Sequence, residues 1–512
     1  MNPAAASGLR RAPGPATIRP VPRNPHRLTA LDSAFLHIES SGQGGHPAHM
    51  HVASVMTFEG PAPEYDELRE AIESRLHLVP RYRQRLTPVP LGQGRPVWVD
   101  DPHFNLRYHL RHTGLPAPGD DDQLMRLAGR IFSHRLDRSR PLWELWLVDR
   151  LDDDRFAIIA KTHHALVDGI SGVDIATVLF DLEPSPPPPD PPETPWVPKP
   201  PPTRAQLLAE ALLERATVPG EAARVVRAAA RGPLRAASAV ARDAAAMGET
   251  LWTALRPAPP TPLNVEIGPH RRYATVDASV PELKAIKDEL GGTINDVVLT
   301  VVTIALGRWL RRHGHPTEGL VLRALVPVSV RADVERGALG NRVSAVFAPL
   351  PVGERDPEAA HRRVHEAMAG LKESGQAVGA QTITQLGDFA PPTILNQAAR
   401  LQMRQRWFNV VVTNVPGPQF PLYILGHRML HLYPVVPLAQ NQALGIAIMS
   451  YDGTLGFGLL GDYDALADLD DLAEDLESAI TDLARTAGVR HPRPRGLRRG
   501  SDRRRRITPV RA

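Results

Sequence analysis

Residues 156–172 read FAIIAKTHHALVDGISG: an apolar run, then His163 and His164, then Asp168 and Gly169. Such a run reads as a strand, and a strand end delivers its last side chains to the mouth of a sheet, where clefts form. A histidine there can do acid–base work. Its ordinary pKa of ~6.5 leaves enough neutral imidazole near neutral pH to take a proton from a hydroxyl. General-base help of this kind is typically worth about 10²–10⁴ in rate. Asp168 is close enough in sequence to brace the turn, and Gly169 permits a positive φ. A helix is predicted to start near Ser171, with Asp174 placed as in a capping box. Two adjacent histidines can also be packed core residues, and type and spacing alone leave both readings open. The chain has no cysteine, which excludes a thiol nucleophile, a disulfide framework and Cys-ligated zinc or iron–sulfur clusters.

The elements around this segment read as mixed α and β. Residues 49–58 have strand character. Leu68, Ile72, Leu76 and Val79 form a helical stripe, and Leu124, Leu127, Ala128, Ile131 and Phe132 form another. Residues 143–151 and 156–161 read as a hairpin turned by Asp152, Asp153 and Asp154. Composition then breaks: residues 184–202 hold twelve prolines in nineteen positions, which favours extended polyproline II and a linker. Residues 204–256 are Ala- and Arg-rich and helical, a crossover lid, a membrane-surface segment or a packed spacer. Strands are predicted at 272–280, 321–330, 343–350, 443–450 and 454–460, the last two turned by Asp452-Gly453. Helices are predicted at 281–291, with Pro near its start and Gly at its end, at 293–310 and around 469–483.

Charge separates the tails from the body. The net charge is +4; residues 1–27 carry five Arg and no acid, and residues 488–512 carry ten Arg and one Asp, so the remainder is 4 − 5 − 9 = −10. An acidic body argues against a nucleic-acid enzyme, whose positive field usually sits on the folded domain. The tails are expected to be disordered, either solvated or gripping anionic headgroups. No run reaches the ~18 apolar residues that span a bilayer, and the first residues lack a signal-peptide apolar block.

HHALVDG (163–169) matches the HHxxxDG motif, and through it the chain resembles the CoA-dependent acyltransferase superfamily. That superfamily includes chloramphenicol acetyltransferase-like enzymes, condensation domains and the bacterial wax ester synthase/diacylglycerol acyltransferases. Segments 28–40 (LTALDSAFLHIES), 140–151 (RPLWELWLVDRL), 267–278 (IGPHRRYATVDA), 291–302 (GGTINDVVLTVV), 324–331 (ALVPVSVR), 340–344 (GNRVS) and 411–418 (VVTNVPGP) resemble the last family specifically. The resemblance implies a mixed α/β (α+β) fold: two chloramphenicol acetyltransferase-like subdomains with an active-site tunnel at their interface. The expected division is a tail at 1–27, a first subdomain at 28–183 and a Pro-rich linker with helical crossover at 184–262. A second subdomain follows at 263–486, then a tail at 487–512.

It also implies a reaction: transfer of a fatty acyl group from acyl-CoA to the hydroxyl of diacylglycerol. His164 would be the base, Asn295 the oxyanion donor and His163 a support for the pocket. Asp168 would be structural, with Arg331 as its candidate partner. Asn295 could equally be a helix-start residue satisfying backbone groups. Gly169, Pro141, Leu142, Trp143, Asp296, Asn414, Pro416 and Gly417 would bind substrate; Pro-Leu-Trp is also plain strand-entry packing, and the Asn414–Gly417 turn a rigid corner. No cofactor or metal is implied, acyl-CoA being a co-substrate, and no specific nucleic-acid partner. The expected location is cytoplasmic, at the periphery of a membrane or lipid droplet. A fatty-alcohol acceptor would give wax esters by the same chemistry. Two other readings are a peptide-assembly condensation domain and a non-catalytic lipid-surface protein of the same fold. Gln440, Asn441 and Gln442 stand where the family often has small residues, which puts substrate preference in doubt. Three weaker patterns are set aside. Gly456, Gly458 and Gly461 form GxGxxG on a strand, the wrong setting for a nucleotide loop. His361 and His365 are expected on an exposed basic face, and His49 and His51 share a strand face without a third ligand.

Overall fold

The computed structural model describes residues 27–40, 48–167, 179–213, 257–329, 343–373 and 407–490. Asp168, Gly169, Ser171, Asp174 and Arg331 lie outside them, as do residues 1–26, 214–256 and 491–512. Two six-stranded sheets organise the rest. The first contains β1 (His51–Glu59), β4 (Leu110–Gly114), β5 (Trp143–Leu151), β6 (Arg155–His163), β11 (Tyr423–Ile424) and β12 (His427–Val435), in the order β11-β12-β1-β6-β5-β4. The second contains β7 (Arg271–Ser279), β8 (Leu322–Ser329), β9 (Val343–Leu350), β10 (Val410–Val415), β13 (Leu444–Tyr451) and β14 (Thr454–Asp462), in the order β7-β14-β13-β10-β8-β9. A small ribbon pairs β2 (Gln84–Thr87) with β3 (Val97–Asp100).

The named helices are α1 (Ala30–Ser40), α2 (Tyr65–Arg75), α3 (Leu106–His109), α4 (Asp121–Ser133) and α5 (His164–Val167) in the first lobe. In the second are α6 (Val280–Leu290), α7 (Ile294–Arg312), α8 (Pro357–Glu373) and α9 (Leu469–Thr486). Helix α7 is the core of its lobe. Its run from Val297 to Leu306 is buried on every side, which its almost unbroken apolar sequence requires. Each large side chain so covered contributes roughly 1.5–3 kcal/mol. Thr293 caps α7 in a reciprocal capping box with Asp296. In the first lobe Phe58, Leu142, Trp143 and Phe156 are at most 1% exposed.

Among the described residues the lobes meet at α4 and along β12. Helix α4 lies across β7: Gly129 brings it close to the Arg271 carbonyl, and the Phe132 and Tyr273 rings meet edge to face at 5.3 Å. Strand β12 follows the second lobe's β10 in sequence but hydrogen-bonds to β1 of the first sheet, with Tyr433 opposite Val55. Its backbone crosses β14, where Gly456 and Gly458 leave room for the carbonyls of Leu432 and Pro434. The GxGxxG pattern is therefore a packing device on β14.

This seam buries an acid. The Tyr433 hydroxyl donates to Asp277 Oδ2 at 2.8 Å, and His431 Nδ1 lies 3.6 Å away. Burial pushes the Asp277 carboxyl up to about 7; Tyr433 pulls the other way, while Glu477 and Asp121 add to the rise. An acid with a raised folded pKa lends stability at low pH. That stability is lost as pH climbs from its unfolded value of ~3.9 through the folded value, about 1.4 kcal/mol per unit. Asp277→Asn is therefore expected to melt above the parent at pH 8, with the gap closing toward pH 5. Calorimetry at both pH values checks this, and an equal gap at the two would show that Asp277 does not titrate in the window.

The linker prolines lie along the first lobe. Trp196 sits under the Arg83 guanidinium at 5.0 Å, and the Lys199 amide donates to Asp100.

Candidate active site

Strand β6 ends at His163, and His164 opens the helical turn α5; the helix expected from Ser171 lies outside the described residues. The chain is clamped from both sides here. The His163 amide donates to the Leu142 carbonyl and the His164 amide to the Met50 carbonyl, both at 2.9 Å. The His164 ring is half-buried and lies against Phe35, with ring centroids 4.2 Å apart. His163 is 1% exposed. Its Nδ1 accepts the Ala165 amide proton at 3.1 Å, which places the ring's own proton on Nε2. That nitrogen lies 3.6 Å from Glu39 Oε2.

Phe35 and Glu39 stand four residues apart on α1 and so share one face; one covers His164 and the other meets His163. The Glu39 carboxylate is 2% exposed and receives Arg138 Nε at 2.9 Å, with Arg135 and His49 each at 3.7 Å. Burial alone would raise this carboxyl; the adjacent His163 and His49 rings and the charge of Arg138 outweigh it and hold it well below the usual carboxylate range. Burial lowers the His163 pKa, with Glu39 opposing. His51 faces His163 across the strands and takes its place at the end of α4, its Nε2 at 3.1 Å from the Phe132 carbonyl. The buried Lys161 ammonium donates to the Ile131 and His134 carbonyls. The last carbonyls of α4 thus meet the groups a helix C-terminus requires. Arg135, Arg138, Lys161, Glu144 and Trp146 line a cleft of about 680 Å³. Sequence reasoning passed over Glu39, Phe35 and Arg138. The signal was present in the i, i+4 pairing within 28–40, and in a loop with Arg135, Arg138 and Arg140 just before the Pro-Leu-Trp motif.

Other residues singled out in the sequence fall as follows. Pro141, Leu142 and Trp143 are buried; Trp143 Nε1 donates to the Tyr82 carbonyl, and its ring stacks on His109 at 4.6 Å. Asn295 is half-buried in the first turn of α7. Asp296 is 2% exposed and accepts from the Thr293 amide at 2.9 Å, with His365 Nδ1 at 3.0 Å. Asn414 is half-buried near the end of β10. Pro416 is exposed, and the Gly417 amide donates to Ser450 Oγ at 3.1 Å. Asn441 and Gln440 offer backbone carbonyls to Asn264 and Ile267. One expectation is corrected: His361 is not on an exposed face but 2% exposed, held between Thr300 Oγ1 and the Gly291 carbonyl. The apolar wall of α7 draws that side of α8 inward. Among the described residues no group of three or more His, Asp or Glu is placed to hold a metal ion.

Two six-stranded sheets, with β12 of the first packed across the second, form a fold that this chain shares with solved condensation-domain and acyltransferase structures. The first condensation domain of the calcium-dependent antibiotic synthetase superposes with a TM-score of 0.53 at 19% identity, over 90% of this chain and 96% of that one, a likeness of fold alone. The particular kinship is closer. The chain belongs to the wax ester synthase/diacylglycerol acyltransferase family: the catalytic-domain model matches residues 28–298 and the C-terminal-domain model residues 339–484. A Mycobacterium tuberculosis H37Rv protein named as a probable diacylglycerol O-acyltransferase is 34% identical over 93% of this chain and 99% of its own length. The wax ester synthase/diacylglycerol acyltransferase of Marinobacter aquaeolei VT8 superposes with a TM-score of 0.62 at 27% identity, covering 90% of this chain and all of that one.

Proposed function

We propose that this chain transfers a fatty acyl group from acyl-CoA to the hydroxyl of diacylglycerol, giving triacylglycerol and free CoA. The observation that carries the reading is His164: a half-buried imidazole at a strand end, its backbone clamped on both sides, in a chain of this family. Its role is general base. It takes the hydroxyl proton as the acceptor oxygen attacks the thioester carbonyl, the C–S bond breaks, and the proton passes to the departing thiolate. No acyl-enzyme forms, which suits a chain without cysteine. The Asn295 carboxamide, at the positive end of α7, supplies a donor for the tetrahedral oxyanion. A tunnel between the lobes brings acyl-CoA and acceptor to opposite sides of the base, with the turn from Asn414 to Gly417 in its wall. The buried Pro141, Leu142 and Trp143 act by supporting the strand that feeds the site.

The acceptor lives in a membrane or droplet, and the chain meets that surface peripherally from the cytoplasm. No single helix among the described residues is long and apolar enough to cross a membrane. The exposed Leu212 and Leu213, in the helical stretch 204–213, are suited to the lipid boundary. The test measures CoA released from palmitoyl-CoA with diolein and, separately, with hexadecanol. Faster release with diolein is expected. Faster release with hexadecanol would make the protein a wax ester synthase, and none with either acceptor, from folded protein, would favour a lipid-binding role.

A further inference from the structure

We propose that Glu39 is a positioning residue for the reaction, holding His163 from helix α1 so that the turn beginning at His164 aims the base. The inference rests on the reading of His164 as base. Its first support is the path of contacts. Arg138 donates to Glu39 from one side, and Glu39 faces His163 Nε2 on the other. The far nitrogen of the same ring accepts the Ala165 amide, the next amide after His164. Nδ1 holds the amide while Nε2 faces the Glu39 carboxylate at 3.6 Å; a turn of the ring would release that amide, and the amide belongs to the turn that carries His164. The second support is that α1 contacts both histidines with one face: Phe35, one helical turn before Glu39, lies on the His164 ring. A shift of α1 is therefore a shift of both histidines. The third is cost. A carboxylate out of water is tolerated only when well paired, and this one is set among Arg138, Arg135, His163 and His49 rather than replaced by an apolar side chain.

Glu39→Gln keeps the shape and removes the charge. A misplacement of about 1 Å can cost about 10² in rate, so kcat is expected to fall roughly 10–100-fold with KM for acyl-CoA within about twofold. Removing a negative charge near an imidazole also disfavours its protonated form. The titration midpoint of the His163 ring, followed by NMR, is expected to move to lower pH. That readout does not require turnover. A second variant separates aim from packing. Glu39→Gln with Arg138→Gln removes the stranded guanidinium charge, and its melting temperature is expected to recover while kcat stays low. Parental kcat and an unmoved His163 midpoint in Glu39→Gln would overturn the proposal, as would recovery of kcat together with stability in the double variant. Failure of the base reading looks different: it is His164→Ala that releases CoA at the parental rate.

Discussion

Replacing His164 with alanine is expected to lower kcat for CoA release by about 10²–10⁴-fold, with little change in melting temperature. The two halves of the expectation have separate causes. Alanine keeps the hydrogen bond from this position's amide to the Met50 carbonyl. The ring is half-buried against Phe35, so its removal opens no sealed cavity. The chemical loss is confined to the transition state, where the hydroxyl proton is in flight. Kcat and kcat/KM should therefore fall together while KM holds. The rising limb of the parent's pH–rate profile, which reports a base losing its proton, should vanish in the variant. His163→Ala is expected to behave otherwise. It strips a partner from the buried Glu39 carboxylate, so stability falls along with activity. Undiminished release by His164→Ala would leave the reaction without its proposed base.

The parts of this design that repeat along the chain were legible in the sequence. The Asp452-Gly453 hairpin, the helix ending at Gly291 and the apolar run of α7 follow from local rules, and each formed where its residues demanded: Asp452 and Gly453 both adopt positive φ, and Gly291 closes α6 at φ 84°. The histidine pair was expected at a strand end, and it stands at the end of β6. The crossover was not legible. His427–Val435 carries alternating residues that fit any half-buried strand, and nothing local says that it joins β1 rather than its own lobe's sheet. Glu39 was hidden for a related reason. An acid in an amphipathic helix is usually solvated, and only the approach of Arg138, ninety-nine residues away in sequence, turns it into a buried hub. Both gaps concern pairings between distant segments, which propensity and periodicity do not encode.

The crossover supports the second large effect. Gly458→Ala is expected to destabilise the protein by about 3 kcal/mol or more, at the upper end of what overpacking costs, lowering the melting temperature by roughly 6–12 °C. An added Cβ would lie 1.9 Å from the Pro434 carbonyl oxygen and 2.5 Å from the Tyr273 hydroxyl. The hydroxyl could swing away, but it already donates to that same carbonyl at 3.0 Å. The carbonyl is backbone in β12, and β12 is fixed to β1 on its other side. Relief therefore requires the two sheets to separate along their seam. Gly456 meets the Leu432 carbonyl in the same way, at 2.3 Å. The cost should fall on catalysis too, because the base stands on the first sheet while Asn295 stands in the second lobe. Gly370→Ala is the control: that glycine is exposed in α8 with nothing within 4 Å of an added Cβ, and alanine there should stabilise the helix by up to about 1 kcal/mol. Calorimetry on the two variants decides the matter. If Gly458→Ala melts with the parent, β12 does not cross β14 at this point, and the coupling between lobes must lie in α4 against β7 instead.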